Sequence, residues 1–582
     1  MPPVIIVGGG PVGLVSSILL SLQEIPHVLF ERHPGTSIHP KACGLNQRTM
    51  EIFRHIGVED EVLRQSAPPE TVSHTAWYTS LGSHGQQIYC RNAWGGGEYR
   101  ARYEEASPCS YRILPQIRLE PILLNRAREL NPNGLKHSTE VLTVAEHSEK
   151  VIVTVRNEDG THEDWEAEYV LGSDGGRMMA DQLGIAWEGE KDIFDMVSAH
   201  FHAPLSKIHP NPNAFISWFI NPSLGGSIKS GYLYPLGPFP SNPSTEEWYF
   251  GCAMLPDDPQ RFDTDAMISR IRKTLDLPDL QIDLRSVSHW YVGSIVTEKF
   301  RSKGGRAFLV GDAAHRIPPW GALGMNTGVQ DAFNLIWKLA FTLRGTFQDN
   351  SSILDSYEEE RRPIAKRVAY SSLFNLRSHG DAMDRAIGVS PEQSSAQNQL
   401  AMDAFFNKSH PEYAQKHRDV KRAQKTLDGE FCALGTEMGW FYPSIDIKKE
   451  GDENNHDGQI GPDGEFDIIH YHPSTIPGHH LPHFWLRRNN VTISSRDLLQ
   501  SQHFLLLADS PVEWECLKDF RVPYQLELID GKGGWEDVDG AWKKLKSTDE
   551  DCAILVRPDG IITYRDDPLL HDPMPELESI LA

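Results

Sequence analysis

Residues 4–13, VIIVGGGPVG, join a short apolar run directly to a glycine-rich turn. The turn has the GxGxxG spacing, with its glycines at Gly8, Gly10 and Gly13. Glycines at this spacing let backbone N–H groups approach a pyrophosphate at the positive end of a helix, here predicted over about 12–23. The stretch therefore predicts a strand, a phosphate-binding turn and a helix, which is the start of a Rossmann-type α/β domain.

A second apolar run at 27–30 strengthens this prediction because it ends at an acid, Glu31. A carboxylate at that strand end can hold the ribose hydroxyls of a dinucleotide. Arg32, the next residue, is assigned to the same cofactor site. The motif alone does not distinguish FAD from NAD.

Residues 311–340 form a second glycine-rich loop followed by a helical pattern, GDAAHRIPPWGALGMNTGVQDAFNLIWKLA. The apolar residues before the loop predict a strand, so Asp312 stands at its end and can accept a hydrogen bond from a sugar-alcohol hydroxyl. Gly321 and Gly324 let backbone N–H groups reach a ring oxygen. Asn326 is placed to cap the helix, whose positive end would stabilise negative charge on a reduced flavin. The loop favours FAD, with a plain strand-loop-helix connection as the alternative.

Composition and charge narrow the class of protein. The 582 residues predict two or three domains, and the net charge of −24 argues against nucleic acid or an anionic membrane as partner. Seven cysteines are scattered without CxxC or metal-ligand spacing, which predicts a reduced, cytoplasmic protein without a metal site. The start of the chain lacks the basic region of a signal peptide, and no apolar run reaches membrane-spanning length.

The order of patterns along the chain predicts an α/β protein with an inserted sheet. The cofactor domain is expected over 1–185 and 290–375, a β-sheet substrate domain over 186–289, a helical segment and linker over 376–460, and a smaller α/β domain over 461–582. Helices are predicted at 47–56, 326–345 and 353–376 from their apolar spacing. In the last domain FLLL, YQLELI and AILV predict strands, and WECLKDF (514–520) predicts a helix.

The loop at 311–326 resembles the second FAD motif of the single-component (class A) flavoprotein aromatic hydroxylases, the p-hydroxybenzoate hydroxylase group. GMNTGVQDAFNLIWKLAFTLRG, SYEEERRPIAKRV, GLNQRTMEIFRHIGVEDE and AILVRPDGIITYR are similar to the phenol hydroxylase branch, which includes dichlorophenol and hydroxybiphenyl monooxygenases. The resemblance runs nearly end to end. It implies a GR2-type FAD domain, an inserted substrate sheet and a C-terminal thioredoxin-like domain, here without CxxC and expected to serve packing or dimer contacts.

The resemblance also assigns residues. Gly8, Gly10, Gly13 and Glu31 would hold the ADP half of FAD. Arg48 and Gln116 match positions near the FAD phosphates and ribityl chain, with a solvated arginine and a helix cap as the respective alternatives. Asp174 and Gly175 match a motif linked to both FAD and NADPH. The residues expected around the ribityl chain and the isoalloxazine ring are Asp312, Pro319, Gly321, Gly324, Met325 and Asn326.

Two departures from the family pattern affect the chemistry. Met178 replaces a serine of the Asp174-Gly175 motif, a departure that affects NADPH handling rather than FAD binding. Arg177 is a candidate phosphate contact in compensation, with a plain exposed arginine as the alternative. Cys43 stands where hydroxybiphenyl-type relatives carry a histidine. A phenol has a pKa of about 10, so a base that forms the phenolate helps at neutral pH. Cys43 would serve only with a depressed pKa and is otherwise a small apolar filler.

Other residues could line the substrate site. His39 is near Cys43 in the chain, and Tyr232, Tyr234, His289 and Tyr291 fall in the predicted sheet, but each is individually more often structural. Trp218 matches an aromatic position lining the pocket of relatives, with a core tryptophan as the alternative. The catalytic assignments are therefore Pro319, Cys43 and Trp218, and no base is identified.

The sequence predicts an FAD-dependent monooxygenase that uses NADPH or NADH and O2. A flavin C4a-hydroperoxide, implied by the resemblance, would oxygenate an aromatic small molecule, most simply by hydroxylating a phenol. The same chemistry can give oxidative decarboxylation, dearomatisation, epoxidation or Baeyer–Villiger insertion. A flavin oxidase or dehydrogenase and a non-catalytic FAD-binding protein are the remaining alternatives.

Overall fold

The computed structural model describes residues 2–211, 214–255, 257–259, 261–347, 350–442, 455–510, 522–546 and 551–565. The predicted helix at 514–520 and most of the predicted polar linker lie outside these residues.

The strands, in chain order, are β1 (Val4–Val7), β2 (His27–Phe30), β3 (Gly44–Leu45), β4 (His74–Tyr78), β5 (Gln87–Asn92), β6 (Arg112–Ile113), β7 (Leu135–Lys136), β8 (Glu140–Glu146), β9 (Val151–Arg156), β10 (His162–Ala167), β11 (Tyr169–Gly172), β12 (Trp187–His202), β13 (Ala214–Phe219), β14 (Tyr232–Gly237), β15 (Glu247–Ala253), β16 (Asp283–Thr297), β17 (Ala307–Leu309), β18 (His315–Arg316), β19 (Trp485–Arg488), β20 (Val491–Ser494), β21 (Phe504–Ala508), β22 (Tyr524–Leu528), β23 (Glu536–Asp537), β24 (Ala553–Val556) and β25 (Ile562–Arg565). The helices are α1 (Pro11–Leu22), α2 (Gln47–His55), α3 (Glu59–Gln65), α4 (Pro69–Val72), α5 (Arg100–Ala106), α6 (Gln116–Leu130), α7 (Met179–Gln182), α8 (Ser227–Ser230), α9 (Thr264–Leu275), α10 (Gly324–Leu343), α11 (Asn350–Ile387), α12 (Ser395–Phe406), α13 (Tyr413–Thr426), α14 (Asp428–Phe431), α15 (Leu434–Met438) and α16 (Ala541–Leu545).

A five-stranded parallel sheet in the order β17-β11-β1-β2-β7 forms the centre of the first domain. All four residues of β1 and of β2 are buried, as expected for strands covered on both faces. Helix α1 packs between this sheet and both α6 and α10. The predicted strands at 4–7 and 27–30 and the predicted first helix are confirmed.

An eight-stranded sheet in the order β18-β16-β12-β15-β14-β13-β4-β5 forms the second layer. Its long antiparallel pair, β12 and β16, crosses from the first domain into the sheet. Strands β4 and β5 come from residues 74–92, which the sequence analysis placed in the cofactor domain. The difference arises because β4 pairs in parallel with β13, far along the chain, and no local pattern signals that pairing.

Helices α10 and α11 connect the layers. The predictions at 326–345 and 353–376 locate both helices, but α10 begins at Gly324 and α11 extends to Ile387. Helix α11 continues through Pro363 and packs on α10, β16 and α13. This long helix therefore runs from the cofactor domain onto the edge of the eight-stranded sheet.

The C-terminal domain contains a mixed four-stranded sheet, β22-β21-β24-β25, and a three-stranded sheet, β20-β19-β23. Strands β21, β22 and β24 fall where FLLL, YQLELI and AILV predict them. Among the helices that the structure describes, none has the length and apolar character needed to cross a membrane.

Candidate flavin and substrate site

The glycine turn between β1 and α1 has the geometry of a phosphate cradle. Gly8 has φ +108°, and the Cβ of any residue replacing Gly13 would overlap the carbonyl oxygen of Gly8. A Cβ at Gly10 would meet nothing within 4 Å, so the space above the turn is open. The N-terminus of the twelve-residue helix α1 faces this space, which suits a pyrophosphate.

Glu31 lies beside the turn at the end of β2. One carboxylate oxygen accepts a hydrogen bond from the Gly9 N–H at 2.7 Å, and the other accepts one from the His33 N–H at 2.8 Å. Arg32 is exposed next to it. The predicted contacts of Glu31 and Arg32 with the adenosine half of a dinucleotide stay predictions.

Asp174 and Gly175 follow β11, directly beside the glycine turn. The Asp174 carboxylate accepts hydrogen bonds from the backbone N–H groups of Gly176, Arg177, Met178 and Met179, at 2.7–3.1 Å. Asp174 therefore organises its own loop, a role that the sequence motif did not reveal. Gly175 has φ +74° and open space around its Cα. The predicted cofactor contacts of both residues remain a prediction.

The loop that begins at Gly311 lies against the glycine turn between β1 and α1. The Cβ of a residue at Gly328 would lie 2.7 Å from Val12 and 2.9 Å from the Cα of Gly311, so the start of α1, the turn at 311–313 and helix α10 are in close contact. The Gly311 N–H donates to the buried Asp331 carboxylate at 3.2 Å. Asp312, by contrast, is exposed in the short turn that follows β17.

Residues 317–326 form a loop and the first residues of α10, the segment predicted to border the flavin ring. Pro319 is exposed, while Gly321, Gly324 and Met325 are half-buried. The predicted capping role of Asn326 is wrong, because α10 begins two residues earlier and has no side-chain cap.

Asn326 instead joins the ring loop to strand β3. Its buried amide donates to the carbonyl oxygens of Gly44 at 3.0 Å and Ala322 at 2.6 Å, and its oxygen accepts from the Asn46 N–H at 3.1 Å. The helix N-terminus, the ring loop and β3 are therefore held as one unit.

Gln116 and Arg48 differ in where they lie. Gln116, at the start of α6, donates to Glu120 at 2.5 Å and its backbone pairs with Ala42, next to the loop that follows Glu31. Arg48 is buried on α2, where it bonds Glu51 at 3.0 Å and the backbone carbonyl of Asp559 in the C-terminal domain at 2.6 Å.

Arg48 also lines a cavity of about 220 Å³ between α2 and the C-terminal domain, with Arg496 and Phe333. The structure thus shows Arg48 in a domain contact. Its predicted contact with FAD has no support in this geometry and stays a prediction.

The residues around the glycine turn and the start of α10 fit FAD. Two helix N-termini, an acid at the end of β2 and an exposed acid after β17 converge on one open region. A Cβ at Gly8, Gly13 or Gly328 would overlap neighbouring atoms, whereas a side chain at Gly10 would fill the cradle. The residues fit a dinucleotide with a second, ring-bearing half.

A cluster of aromatic side chains covers the inner face of the eight-stranded sheet beyond the ring loop. It contains Trp77, Trp94, Tyr111, Trp218, Tyr232, Tyr234, Tyr249, Trp320 and Phe431. Trp218 is buried, donates to Thr75 at 3.1 Å and packs on Tyr232 with ring centroids 4.9 Å apart. A catalytic role for Trp218 stays a prediction, whereas its place in the cluster is clear.

Several polar atoms inside this cluster have no hydrogen-bond partner within the described part of the chain. They are Trp77 Nε1, Trp94 Nε1, Trp320 Nε1, Asn375 Oδ1, His379 Nε2 and Glu437 Oε2. Buried polar groups are normally satisfied, so a concentration of exceptions marks a place where a polar ligand can bind. The cluster lies against the ring loop, and Gly44 is where they meet. A Cβ at Gly44 would overlap the Tyr111 hydroxyl of the cluster and lie 2.9 Å from Ala322 of the loop.

Cys43 does not meet the condition for a base, a depressed pKa, and its surroundings suit the alternative of a small apolar filler. Burial raises the pKa of its thiol to about 12, so it carries its proton at neutral pH. Burial likewise raises the pKa values of Tyr232 and Tyr234 well above their usual range. These groups can donate hydrogen bonds to a ligand but do not accept a proton from one.

The two candidates on β16 lie away from the cluster. His289 and Tyr291 alternate with Trp290 and Val292, which pack on the aromatic cluster, so they point to the opposite face. His289 pairs with Asp195 at 3.0 Å, and Tyr291 is 59% exposed. His39, near the start of β3, contacts Ser286 at 3.2 Å and is also outside the cluster.

The sequence analysis missed the polar residues that face the cluster from the helices after residue 370. Asn375, His379, Glu430 and Glu437 lie in a segment that it assigned to the cofactor domain edge or a helical linker. Isolated polar residues in amphipathic helices carry no local signal of function, so only the packing of α11, α14 and α15 on the sheet reveals them.

Comparisons with known proteins agree with this site. A family model described as "FAD binding domain" matches residues 1–372, and one described as "Aromatic-ring hydroxylase, C-terminal" matches residues 474–582. The chain is 31% identical to phenol 2-monooxygenase of Pseudomonas sp. (strain EST1001), with 100% of this chain and 92% of that protein covered. It is 30% identical to 4-methyl-5-nitrocatechol 5-monooxygenase of Burkholderia sp., with 100% and 96% covered.

A solved structure is similar over the whole chain. The crystal structure of the flavin-dependent monooxygenase PieE in complex with FAD and substrate superposes with a TM-score of 0.89 at 29% identity, covering 100% of this chain and 98% of that one. The predicted α/β architecture and the FAD cofactor are confirmed by these matches, which favour oxygenation over the oxidase and non-catalytic alternatives. The chain therefore belongs to the FAD-dependent aromatic-ring hydroxylases and is a flavoprotein monooxygenase of the phenol hydroxylase branch.

Proposed function

We propose that this enzyme hydroxylates a phenolic ring next to or opposite an existing hydroxyl, using FAD, NADPH or NADH, and O2. The observation that carries the proposal is the convergence of the flavin loop with the aromatic cluster and its unpartnered polar atoms. An apolar pocket with a few polar groups is the typical site for a small aromatic ligand.

The residues of the cofactor domain divide between the two halves of FAD. The glycine turn and Glu31 would hold the ADP half, and Asp312 the ribityl chain. Pro319, Gly321, Gly324 and Met325 would border the ring system, next to the positive end of α10. When bound, FAD supplies the redox chemistry that activates oxygen.

The aromatic cluster would bind the substrate ring and exclude water from the reaction. Tyr232 and Tyr234 remain protonated because burial raises their pKa values, so they can donate hydrogen bonds to a substrate oxygen. A dry site also strengthens every hydrogen bond made in it. Ring stacking selects for flat substrates, and the hydroxyls orient them.

The reductant would approach near Asp174 and Arg177. Partial burial lowers the pKa of Arg177, and the positive charges of Arg32 and Arg316 lower it further. Three neighbouring arginines suit the phosphates of a nicotinamide dinucleotide. Arg177 is therefore proposed to contact the phosphates of NADPH or NADH.

The remaining proposals concern the domain boundaries, the cellular location and the oligomeric state. We propose the domain division given above with strands β4 and β5 reassigned to the substrate sheet, cytoplasmic localisation, and a homodimer. The C-terminal domain would act by packing, since it lacks a CxxC motif. Sedimentation analysis of the holoenzyme tests the assembly.

The proposed function is tested by anaerobic reduction of the purified flavoprotein with NADPH and, separately, NADH. Visible flavin absorbance is followed with and without a panel of phenols. We expect a particular phenol to accelerate bleaching, and a hydroxylated product to form when O2 is admitted. Stoichiometric peroxide without an oxygenated product would indicate an oxidase, and no bleaching with any combination would refute the proposal.

A further inference from the structure

A buried histidine–glutamate pair lies in the aromatic cluster. His379, on α11, is 1% exposed, and its Nδ1 lies 3.1 Å from Oε2 of Glu430 on α14, which is itself buried. A carboxylate only accepts hydrogen bonds, so Nδ1 carries the proton in the neutral imidazole. Nε2 is then left with its lone pair, and it has no partner among the described residues.

The imidazole is surrounded by tryptophan rings. Its centroid lies 3.9 Å from that of Trp218 on β13 and 5.7 Å from that of Trp77 on β4. Among the described residues, the titratable groups around this corner are Glu430, Tyr232, whose ring packs on Trp218, and the ion pair that Arg91 forms with Asp428 at the start of α14. Within this set, Nε2 is the atom that can accept a proton without first losing a partner.

The same face of α11 also reaches the flavin loop. Asn375 lies one helical turn before His379, and residues four apart share a helix face. Its Nδ2 lies 3.3 Å from the position of a Cβ at Gly321 and donates to the Gly429 carbonyl at 3.0 Å. A substrate ring held between the loop at 321 and Trp218 would therefore place its hydroxyl near His379.

We propose that His379 is the general base that accepts the phenolic proton of the substrate at Nε2, and that Glu430 is a positioning residue which fixes the imidazole tautomer. This inference rests on the proposed function. In the step, the phenolic O–H bond breaks, the proton bonds to Nε2 and the electron pair stays on the phenolate oxygen. No electron is exchanged. The proton returns to the hydroxylated product or to solvent.

The other buried groups of the cluster do not fill this role. The Cys43 thiol and the tyrosine hydroxyls hold their protons at neutral pH, as described above. Burial raises the pKa of Glu437 to about 8, although the Tyr103 hydroxyl donates to it, so this carboxyl is mostly protonated at neutral pH. His379 supplies the base that the sequence analysis could not identify.

The test compares the holoenzyme with its H379Q and E430Q variants, using two probes on which relatives act by name. Phenol is largely protonated at neutral pH, whereas 4-methyl-5-nitrocatechol is more acidic and its ionised form is visible by absorption. The matched control is H209Q. His209 is also buried, but it bonds Ser217 at 2.7 Å and packs against Tyr78 of the cluster on the opposite face of the sheet.

We expect kcat/KM for phenol at neutral pH to fall about 100-fold in H379Q, which is the lower end of the loss typical when a general base is removed. The value should recover as the pH is raised. The loss for the nitrocatechol should be much smaller, because less of it needs deprotonation. E430Q should show a smaller loss and a displaced pH profile, and H209Q should match the wild type. Equal, pH-independent losses for both probes in H379Q would overturn the proposal.

A binding measurement keeps the test decisive if H379Q does not fold. The absorption spectrum of the nitrocatechol bound to the wild-type holoenzyme is recorded against pH. The ionised nitrocatechol should appear on the enzyme at a lower pH than in free solution. If the nitrocatechol bound only in its neutral form, the proposal that His379 is the general base would be overturned. If the wild type neither binds nor hydroxylates either phenol, the proposed function itself fails, which the wild-type data alone reveal.

Discussion

Replacing Glu360 by glutamine should weaken the attachment of the C-terminal domain to the flavin domain. Glu360, on α11, is 3% exposed and bonds two cations, Arg557 at 2.6 Å and Lys338 at 2.8 Å. Arg557 follows β24, so the carboxylate joins the C-terminal domain to helices α10 and α11. In the variant Arg557 keeps one buried carboxylate, Asp559 at 2.6 Å, but Lys338 loses its counter-charge, so two buried cations share one anion.

The size of the expected loss of folding free energy follows from the pKa of the Glu360 carboxyl. Burial alone would raise the pKa of Glu360, but Arg557 and Lys338 outweigh burial and lower it from 4.5 to about 2. At about 1.4 kcal/mol per pKa unit, this difference corresponds to about 3 kcal/mol of folding free energy. Removal of one partner of a buried ion pair typically costs about 3–5 kcal/mol, which agrees.

The sign of the pH dependence follows from the same shift. A carboxyl with a lowered folded pKa stabilises the fold fully above its unfolded value of 4.5, and this contribution is lost as pH falls towards 2. The stability difference between wild type and E360Q should therefore be largest at neutral pH and should shrink in acid.

The assay is urea unfolding of the holoenzyme, followed by tryptophan fluorescence at several pH values between 3 and 7, a range set by the pKa values involved. E188Q is the control, because Glu188 pairs with Arg362 and Lys366 on the surface, where such pairs contribute about 0–1 kcal/mol. A neutral-pH loss in E360Q no larger than in E188Q, or a difference that does not shrink in acid, would refute the reasoning.

Three further outcomes are expected. G13A should purify without flavin because its Cβ overlaps the Gly8 carbonyl, whereas G35A, with open space at that position, should retain flavin; flavin content by absorbance decides this. C43S should leave the pH profile of hydroxylation unchanged because burial raises the Cys43 pKa to about 12, and a changed profile would restore the thiol as a base. R177A should raise KM for NADPH several-fold without changing KM for the phenol, measured by steady-state kinetics, and an unchanged KM for NADPH would remove Arg177 from the reductant site.

The local parts of the fold follow from sequence pattern because short-range backbone and burial rules determine them. The strand at 4–7, the GxGxxG turn and helix α1 form as predicted, since glycine alone fits where Gly13 approaches the Gly8 carbonyl. Helix α2 likewise matches its apolar spacing and is capped by Asn46. These elements sufficed to predict a dinucleotide-binding domain.

Helix ends and residue environments were less predictable. Asn326 has the composition of a cap but lies inside α10, because contacts with β3 decide where that helix begins. The pKa of Cys43 depends on how completely neighbouring strands and loops cover it, which no pattern within one segment reveals.

The sequence by itself determined the α/β class, the flavin turns and the family, because each rests on contiguous motifs. Tertiary structure alone brought His379 to Glu430 across 51 positions and Arg48 to Asp559 across 511. It also placed β4 beside β13. Such contacts depend on how separate elements pack and which polar groups that packing removes from water, so the chemistry of the substrate site is a property of the folded chain.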